Sequence, residues 1–543
     1  MHCTLNRSAF ASAVVTLLGL TLVPSVSTQN APGGLPPHVQ LTRDEDFQRT
    51  RDLLGLKTPA PTGVQSSNPE TFNEKLANPY PTLPDPLTLN NKGRVTNAST
   101  WNNTRRPELV ELFEREVYGR TPKVTPKVTW EVLSTTREMN GDVPVITKQL
   151  VGHVDNSSYP TLTVNLLASV STPADAKGPV PVIISMAAGG PGVGRGRGAA
   201  DPAAPPTPTP TTVCSPTNAV PAPTRGALPA GGGAAIAGRA AGAPAGPGAV
   251  APVPTAAPGA ALAGGGGAPA APQGPTNQQQ ALALGWGYAS FNTSSVQADN
   301  GQGLTCGIIG LVNKGQPRKL EDWGVLAAWA WGTSRVLDYL ETDKAVDATR
   351  VGVYGHSRWG KATLLTTVLD KRFAIAYVSS AGQGGSKLHR RNYGETVDNV
   401  ANNFYYWMGG NYIKYAGNWN SLPVDSHELV ALMAPRPVFF SGGNEPEKNP
   451  DGSIATTVNA QGQTVVKQAY DAWVDPRGTF MAAVAAAPVY ELLGKKGLGM
   501  KDFPAADTEV ISGDLGFRQH TGGHTSGPAW ETFYKFAAKY LKK

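Results

Sequence analysis

Residues 351–361 read Val-Gly-Val-Tyr-Gly-His-Ser-Arg-Trp-Gly-Lys. A short β-branched run ends in Gly355, Ser357 follows two residues later, and an apolar run of helical spacing comes next (Ala362, Leu364, Leu365, Val368, Leu369). That order describes a nucleophile elbow, a sharp strand-to-helix turn that lifts a serine oxygen out of a sheet. The helix start behind the serine leaves backbone N–H groups unpaired, and these can meet a developing oxyanion. The usual spacing is G-x-S-x-G. Here Arg358 and Trp359 separate Ser357 from Gly360, giving G-x-S-x-x-G.

A serine hydroxyl is a weak nucleophile until an adjacent base takes its proton and a carboxylate orients that base. Of the eight histidines, His520 and His524 follow the elbow near the C-terminus, in Arg-Gln-His-Thr-Gly-Gly-His-Thr. We expect His524 to be the base, because the two glycines before it let the loop bring the ring to the serine. The i, i+4 spacing of the two histidines would also suit a metal, but the glycines argue against the helix such a pair needs, and the chemistry requires neither metal nor cofactor. His356 is expected to be a packed neighbour whose side chain points away from that of Ser357, and His427 to be structural. The acid is open among three carboxylates. Glu445 and Glu447 lie just past the apolar run 437–441, where an orienting acid belongs. Asp471 joins them if residues 449–470 loop out.

The elements that must hold these residues alternate. Residues 106–118 have helical periodicity, and β-branched or alternating runs occupy 126–134, 143–154 and 160–170. Buried strands are expected at 180–186, 285–291, 374–380, 437–441 and 508–513, and helices at 321–341 and 528–541. Strands alternating with helices imply an α/β fold, with a mostly parallel sheet covered on both faces and its ligand site at the carboxyl ends of the strands. Residues 188–275 are dominated by Gly, Ala and Pro, a composition that cannot bury enough apolar surface to offset chain entropy, and read as a disordered insertion. The 543-residue chain therefore divides into an N-terminal export signal at 1–27, an irregular segment at 28–105 and a catalytic domain at 106–543 interrupted by that insertion. The signal has Arg7, an apolar stretch at 9–23 and small residues at 25–27, and predicts a protein that is periplasmic or secreted, with no membrane attachment after cleavage. Of the three cysteines, Cys214 and Cys306 would remain and could pair. The net charge of +7 is dispersed, without the basic runs that nucleic-acid binding needs.

At this level of detail the chain resembles the glucuronoyl esterases, a carbohydrate esterase family that cleaves esters of glucuronic acid on xylan. The family's G-[CH]-S-R-x-G-K elbow matches residues 355–361 in full. Further likeness runs through Asp322-Trp323-Gly324, Arg390-Arg391-Asn392-Tyr393-Gly394-Glu395, Leu422 to His427, Ala434 to Pro437, Trp473 to Gly478 and the Gly-Gly-His of residues 522–524. The resemblance implies an α/β-hydrolase fold acting on a glucuronate ester, with a lignin fragment as the natural alcohol; the chain is expected to be a monomer. It implies Ser357 as nucleophile, His524 as base, Arg358 at the oxyanion, Lys361 on sugar hydroxyls, and Gln383 and Trp473 in the sugar pocket. Some members carry a glutamate where this chain has Ser380, which cannot be an acid. A Pro-Glu-Lys run in closer relatives resembles Pro446-Glu447-Lys448, so Glu447 becomes the expected acid.

Overall fold

A computed structural model describes residues 34–188, 274–459, 462–467 and 471–542. The expected signal and nearly all of the Gly/Ala/Pro insertion lie outside these residues, as do Cys3 and Cys214. Cys306 is disulfide-bonded. Among the described residues no helix is long and apolar enough to cross a membrane.

The centre is a nine-stranded sheet. Its strands are β1 (Val128–Asn140), β2 (Val143–Val154), β3 (Asn165–Pro173), β4 (Val180–Ala187), β5 (Gly287–Asn292), β6 (Val346–His356), β7 (Ile375–Ser379), β8 (Val438–Gly442) and, after a small hairpin of β9 (Thr456–Val458) and β10 (Thr464–Val466), β11 (Leu515–Gln519). The spatial order is β1-β2-β3-β5-β4-β6-β7-β8-β11. β5, β4, β6, β7, β8 and β11 run parallel, and β1, β2 and β3 extend the sheet antiparallel.

Strand periodicity of two sends alternate side chains to opposite faces. Val353, Ala376, Val378 and Phe440 enter a core shared with the helices Val325–Leu340, Arg358–Leu369 and Pro476–Leu492. Ile183, Tyr354, Tyr377 and Phe439 enter a second core, closed by the helix Trp530–Leu541. The sheet is thus mostly parallel and covered on both faces, as the alternation of elements implies, and agrees with the α/β-hydrolase fold that the resemblance implies.

Two expectations change. The last strand is not 508–513 but β11, with Val510 forming only an isolated bridge to Phe517. β-branched Val510 and Ile511 carry the stronger strand propensity, yet packing selects the Gly-containing segment. A Cβ on Gly516 would stand 2.7 Å from the Phe439 ring and 3.1 Å from that of Phe536, so only glycine lets the closing helix sit on this strand. The segment before residue 106 is also less irregular than its composition implies. Thr42 and Glu45 form a capping box that starts the helix Arg43–Leu53. This segment lies over the domain through Arg391–Glu74, Asn399 to the Val64 carbonyl, and Tyr405 to the Arg43 carbonyl.

Candidate active site

Ser357 sits between β6 and the helix Arg358–Leu369 with φ 60° and ψ −125°. Positive φ is strained for a side chain with a Cβ and persists only where the surroundings impose it. Here they do. The Ser357 N–H is held by the Ser379 carbonyl at 2.8 Å, and its own carbonyl accepts from Gly360 and Lys361. A Cβ on Gly355 would collide with the Trp359 carbonyl, and one on Gly360 would stand 2.7 Å from the Ser379 carbonyl oxygen. The turn is therefore pressed against β7, and G-x-S-x-x-G places its second glycine where helix and strand touch.

His524 lies on the loop after β11. Its Nδ1 is 2.5 Å from Asp471 Oδ1. The Asp471 side chain is fully buried, while that of His524 is 44 % exposed. Asp471 Oδ2 also accepts from Ser380 Oγ at 2.6 Å and from the Gly443 N–H at 2.5 Å. The carboxylate is thus saturated by neighbours that fix its plane, and Nδ1 of His524 carries the proton it donates.

This corrects the expectation for Glu447. Glu447 is partly exposed and pairs with Lys467 at 2.7 Å, while Glu445 pairs with Arg477 at 3.0 Å and Lys448 at 3.2 Å. Burial works to raise the Glu445 carboxyl, but these two cations prevail and hold it below its usual range. The physical reason is the hairpin. After Pro446 the chain leaves the sheet, forms β9 and β10, and returns so that the Asp471 N–H reaches the Asn444 carbonyl at 3.3 Å. The excursion carries both glutamates outward and delivers Asp471 to the end of β8. The signal was present: Asp451-Gly452, with φ 82° at the glycine, and Asn459 with Gly462 at φ 75° are hairpin turn chemistry flanked by Thr and Val.

Gly443 makes the junction possible. A Cβ there would collide with the Gly523 carbonyl and stand 2.5 Å from the Asp471 Cβ. The loops that carry Asp471 and His524 therefore meet over a residue without a side chain.

The other expected residues occupy different depths. The Arg358 guanidinium is 2.5 Å from Asp299 Oδ2 and lies 5.2 Å from the Trp407 ring centroid, and Trp407 donates to the other Asp299 oxygen at 2.7 Å. Lys361 is almost fully buried, with Nζ on Glu395 Oε2 at 2.8 Å and the Gln383 carbonyl at 2.5 Å. Burial pulls its pKa down and the Glu395 carboxylate pushes back. Gln383 is also a correction: it has no exposed surface, and its carboxamide donates to Tyr412 at 3.2 Å and accepts from Lys387 at 3.2 Å. Its backbone carbonyl, not its carboxamide, meets Lys361, and the side chain lines no open pocket. Trp473 is half-buried on the 3₁₀ turn Ala472–Val474 directly after Asp471, and its carbonyl accepts from the Glu395 N–H at 2.6 Å. The hairpin absorbs the lengthening of residues 449–470, so Trp473 remains beside the acid. His427 Nε2 donates to the Pro84 carbonyl, 2.7 Å away, in a structural setting. His520 is buried, with Nδ1 accepting from the Gly522 N–H at 3.1 Å. Among the described residues no group of His, Cys, Asp and Glu is arranged to hold a metal ion.

His356 is a packed neighbour as expected, and what it packs against is His524, with ring centroids 4.4 Å apart and planes tilted by 51°. Sequence reasoning placed it correctly beside Ser357 but could not see the loop that returns over it.

Comparison with known proteins agrees with this geometry. Residues 317–472 match the sequence pattern of the family described as "Glucuronyl esterase, fungi". The chain is 29 % identical over 480 residues to the carbohydrate esterase MZ0003 of an unknown prokaryotic organism, covering 88 % of this chain and 93 % of that one. Among solved structures it is similar to a CE15 glucuronoyl esterase from Teredinibacter turnerae, with 32 % identity, TM-score 0.68, and 92 % and 99 % of the two chains covered. It is similar also to the glucuronoyl esterase from Solibacter usitatus, with 30 % identity, TM-score 0.63, and 87 % and 100 % covered. With that identity spread over whole domains, and with the elbow motif intact, the chain belongs to the CE15 glucuronoyl esterases, a family of carboxylic ester hydrolases.

Proposed function

We propose that this protein is a serine esterase that hydrolyses esters of glucuronic acid through Ser357, His524 and Asp471. The observation that carries the reading is the 2.5 Å contact between His524 Nδ1 and a fully buried carboxylate, on a loop packed against the elbow residue His356. With Nδ1–H committed to Asp471, Nε2 is free to take a proton. Ser357 Oγ attacks the ester carbonyl as His524 Nε2 accepts its hydrogen. The oxyanion is met by the open N–H groups at the start of the helix Arg358–Leu369, beside the Arg358 guanidinium that Asp299 holds in place. His524 returns the proton to the departing alcohol. Water, deprotonated by the same ring, then cleaves the acyl-enzyme and releases the uronate.

Substrate choice follows from what lies beside the serine. The uronate carbonyl is attached directly to a sugar ring, so groups that read hydroxyls must stand near the nucleophile. Lys361 has three donors and uses two on Glu395 and Gln383. The third hydrogen is left for a sugar hydroxyl, beside the Trp407 ring whose centroid lies 5.6 Å from Nζ. A relative of Podospora anserina that is 39 % identical over 128 residues, 26 % of its length, is named a 4-O-methyl-glucuronoyl methylesterase, which supports the same acyl group here. A lignin alcohol is the leaving group this reading assigns, and export through residues 1–27 would bring the enzyme to it.

The test is hydrolysis of benzyl glucuronate beside p-nitrophenyl acetate, with Ser357→Ala as control. The reading expects glucuronate turnover that Ser357→Ala removes. Hydrolysis of the acetate alone would make the protein a general carboxylesterase, and turnover of neither would leave a polysaccharide-binding protein.

A further inference from the structure

His356 ends β6, and its polar contacts run in one direction across three strand ends. Its Nδ1 is 3.0 Å from Ser379 Oγ at the end of β7. Ser441 Oγ, on β8, donates to Ser379 Oγ at 3.1 Å, and the Tyr377 hydroxyl is 3.0 Å from Ser441 Oγ. With Ser441 donating to Ser379, the Ser379 hydroxyl keeps its own hydrogen for His356 Nδ1, while the Tyr377 hydroxyl stands between Ser441 Oγ and the Ser526 carbonyl, 3.3 Å away. On its other side the His356 ring lies against the His524 ring, with centroids 4.4 Å apart.

The loop that receives this contact needs it. Residues 520–526 contain Gly522 and Gly523, the latter at φ 75°, and have no regular structure around His524. The loop is pinned before the base by His520 N–H on the Gly442 carbonyl at 2.9 Å. Beyond the base it is pinned by Ser526 Oγ on the Tyr354 hydroxyl at 2.5 Å. Between those points His524 is held by Asp471 at one ring nitrogen and packs against the His356 ring. A partly exposed ring hinged on glycines has rotational freedom that a catalytic base must lose before reaction.

We propose that His356 is a positioning residue for the base, its ring held by the Ser379–Ser441–Tyr377 chain and in turn setting the tilt of the His524 ring toward Ser357. This rests on the reading of Ser357, His524 and Asp471 as the catalytic groups. Burial, followed by the neighbouring His524, holds the His356 ring at a pKa of about 4, with Asp471 opposing and His520 adding to the effect. His356 therefore stays neutral in the working range and does not compete as a second base.

The test compares His356→Phe, which keeps an aromatic ring but loses the polar contact to Ser379, with His356→Gln, which retains an acceptor for the Ser379 hydroxyl. On benzyl glucuronate, His356→Phe is expected to lower kcat about 10²-fold, the cost of misplacing a catalytic group by about an ångström, with KM within about twofold of wild type. His356→Gln should recover much of the loss. In substrate-free protein the far-downfield proton of the His524–Asp471 bond, sharp in wild type, should broaden in His356→Phe and return in His356→Gln. Ser379→Ala breaks the chain one step earlier without removing the ring and should lower kcat by about tenfold, a lesser loss from the same source; it reads the proposal if His356→Phe does not fold. Wild-type kcat and an unchanged downfield proton in His356→Phe would overturn the proposal. So would parallel changes in kcat and KM with a lowered Tm, which would make His356 ordinary packing. Because the proton signal needs no substrate, failure of wild type to hydrolyse glucuronate would reject the functional reading separately.

Discussion

Asp471→Asn is the sharpest perturbation of this site. The carboxylate uses Oδ1 for His524 and Oδ2 for both Ser380 and the Gly443 N–H. An asparagine can keep its single oxygen at the Oδ2 position, because two donors converge there, and then presents NH₂ to His524 Nδ1. Two donors cannot face each other, so Nδ1 loses its proton and Nε2 gains one. The ring then offers a hydrogen to Ser357 where it must accept one. Shape is preserved and the tautomer is wrong, a change that costs about 10⁴-fold in kcat in serine hydrolases of another fold, or about 5 kcal/mol of transition-state stabilisation. Glu447→Gln breaks only a partly exposed pair with Lys467, worth ~0–1 kcal/mol of stability and nothing to the base, so its kcat should stay within about twofold of wild type. The assay is steady-state hydrolysis of benzyl glucuronate at pH 7, with Tm recorded for each variant. If Asp471→Asn kept more than about a tenth of wild-type kcat, or if Glu447→Gln were the more damaging change, the assignment of the acid would be wrong.

Ser357→Ala should reduce kcat by about 10⁶-fold with Tm nearly unchanged or raised, since the elbow strain remains while only a hydroxyl is lost; substantial residual turnover would rule out a covalent serine. Gly443→Ala inserts a methyl group between the Gly523 carbonyl and Asp471, so it should separate acid from base and lower kcat at least about 10²-fold, with wild-type activity showing that the loops do not meet as described. Acid should destabilise the protein through buried neutral histidines. His389 has no exposed surface and burial, with Asp425 opposing, holds it at about 4 against an ordinary 6.5. The unfolded chain therefore binds a proton below pH 6.5 that the folded chain refuses until about pH 4, so stability is complete above 6.5 and falls as pH drops through that window. Urea unfolding should give about 2–3 kcal/mol less stability at pH 4.5 than at pH 7 from this residue, and His389→Phe should flatten that slope; equal slopes in the two proteins would refute the assignment. Lys361→Met leaves Glu395 buried without its cation, so it should cost about 3–5 kcal/mol in urea unfolding, and a loss below about 1 kcal/mol would mean the pair is not desolvated.

Local chemistry that depends on neighbours in the chain was legible from the residues alone. The elbow at 355–361 could be read because strand, turn and helix are contiguous, and the sheet class followed from runs such as 180–186 and 374–380 whose apolar character is continuous. His524 could be chosen because the glycines beside it are its own neighbours. The strand at 508–513 was misread because propensity favoured Val510 and Ile511, whereas β11 is selected by contact with Phe439 and Phe536, residues far away in sequence.

The acid shows the division most clearly. The amino-acid sequence by itself determined that a serine, a histidine and one of three carboxylates were available, and that a family with this elbow uses them on an ester. Which carboxylate faces His524 was decided only by tertiary structure. A hairpin returns the chain to its point of departure, so Asp471, 27 positions from Asn444 in the numbering, ends beside it in space. Pairing with Lys467 and Arg477 satisfies Glu447 and Glu445 at the surface. Burial makes Asp471 costly unless it is fully hydrogen-bonded, and His524, Ser380 and Gly443 meet that cost together. The orientation of a catalytic base depends on such long-range closure, which no local pattern of residue types encodes.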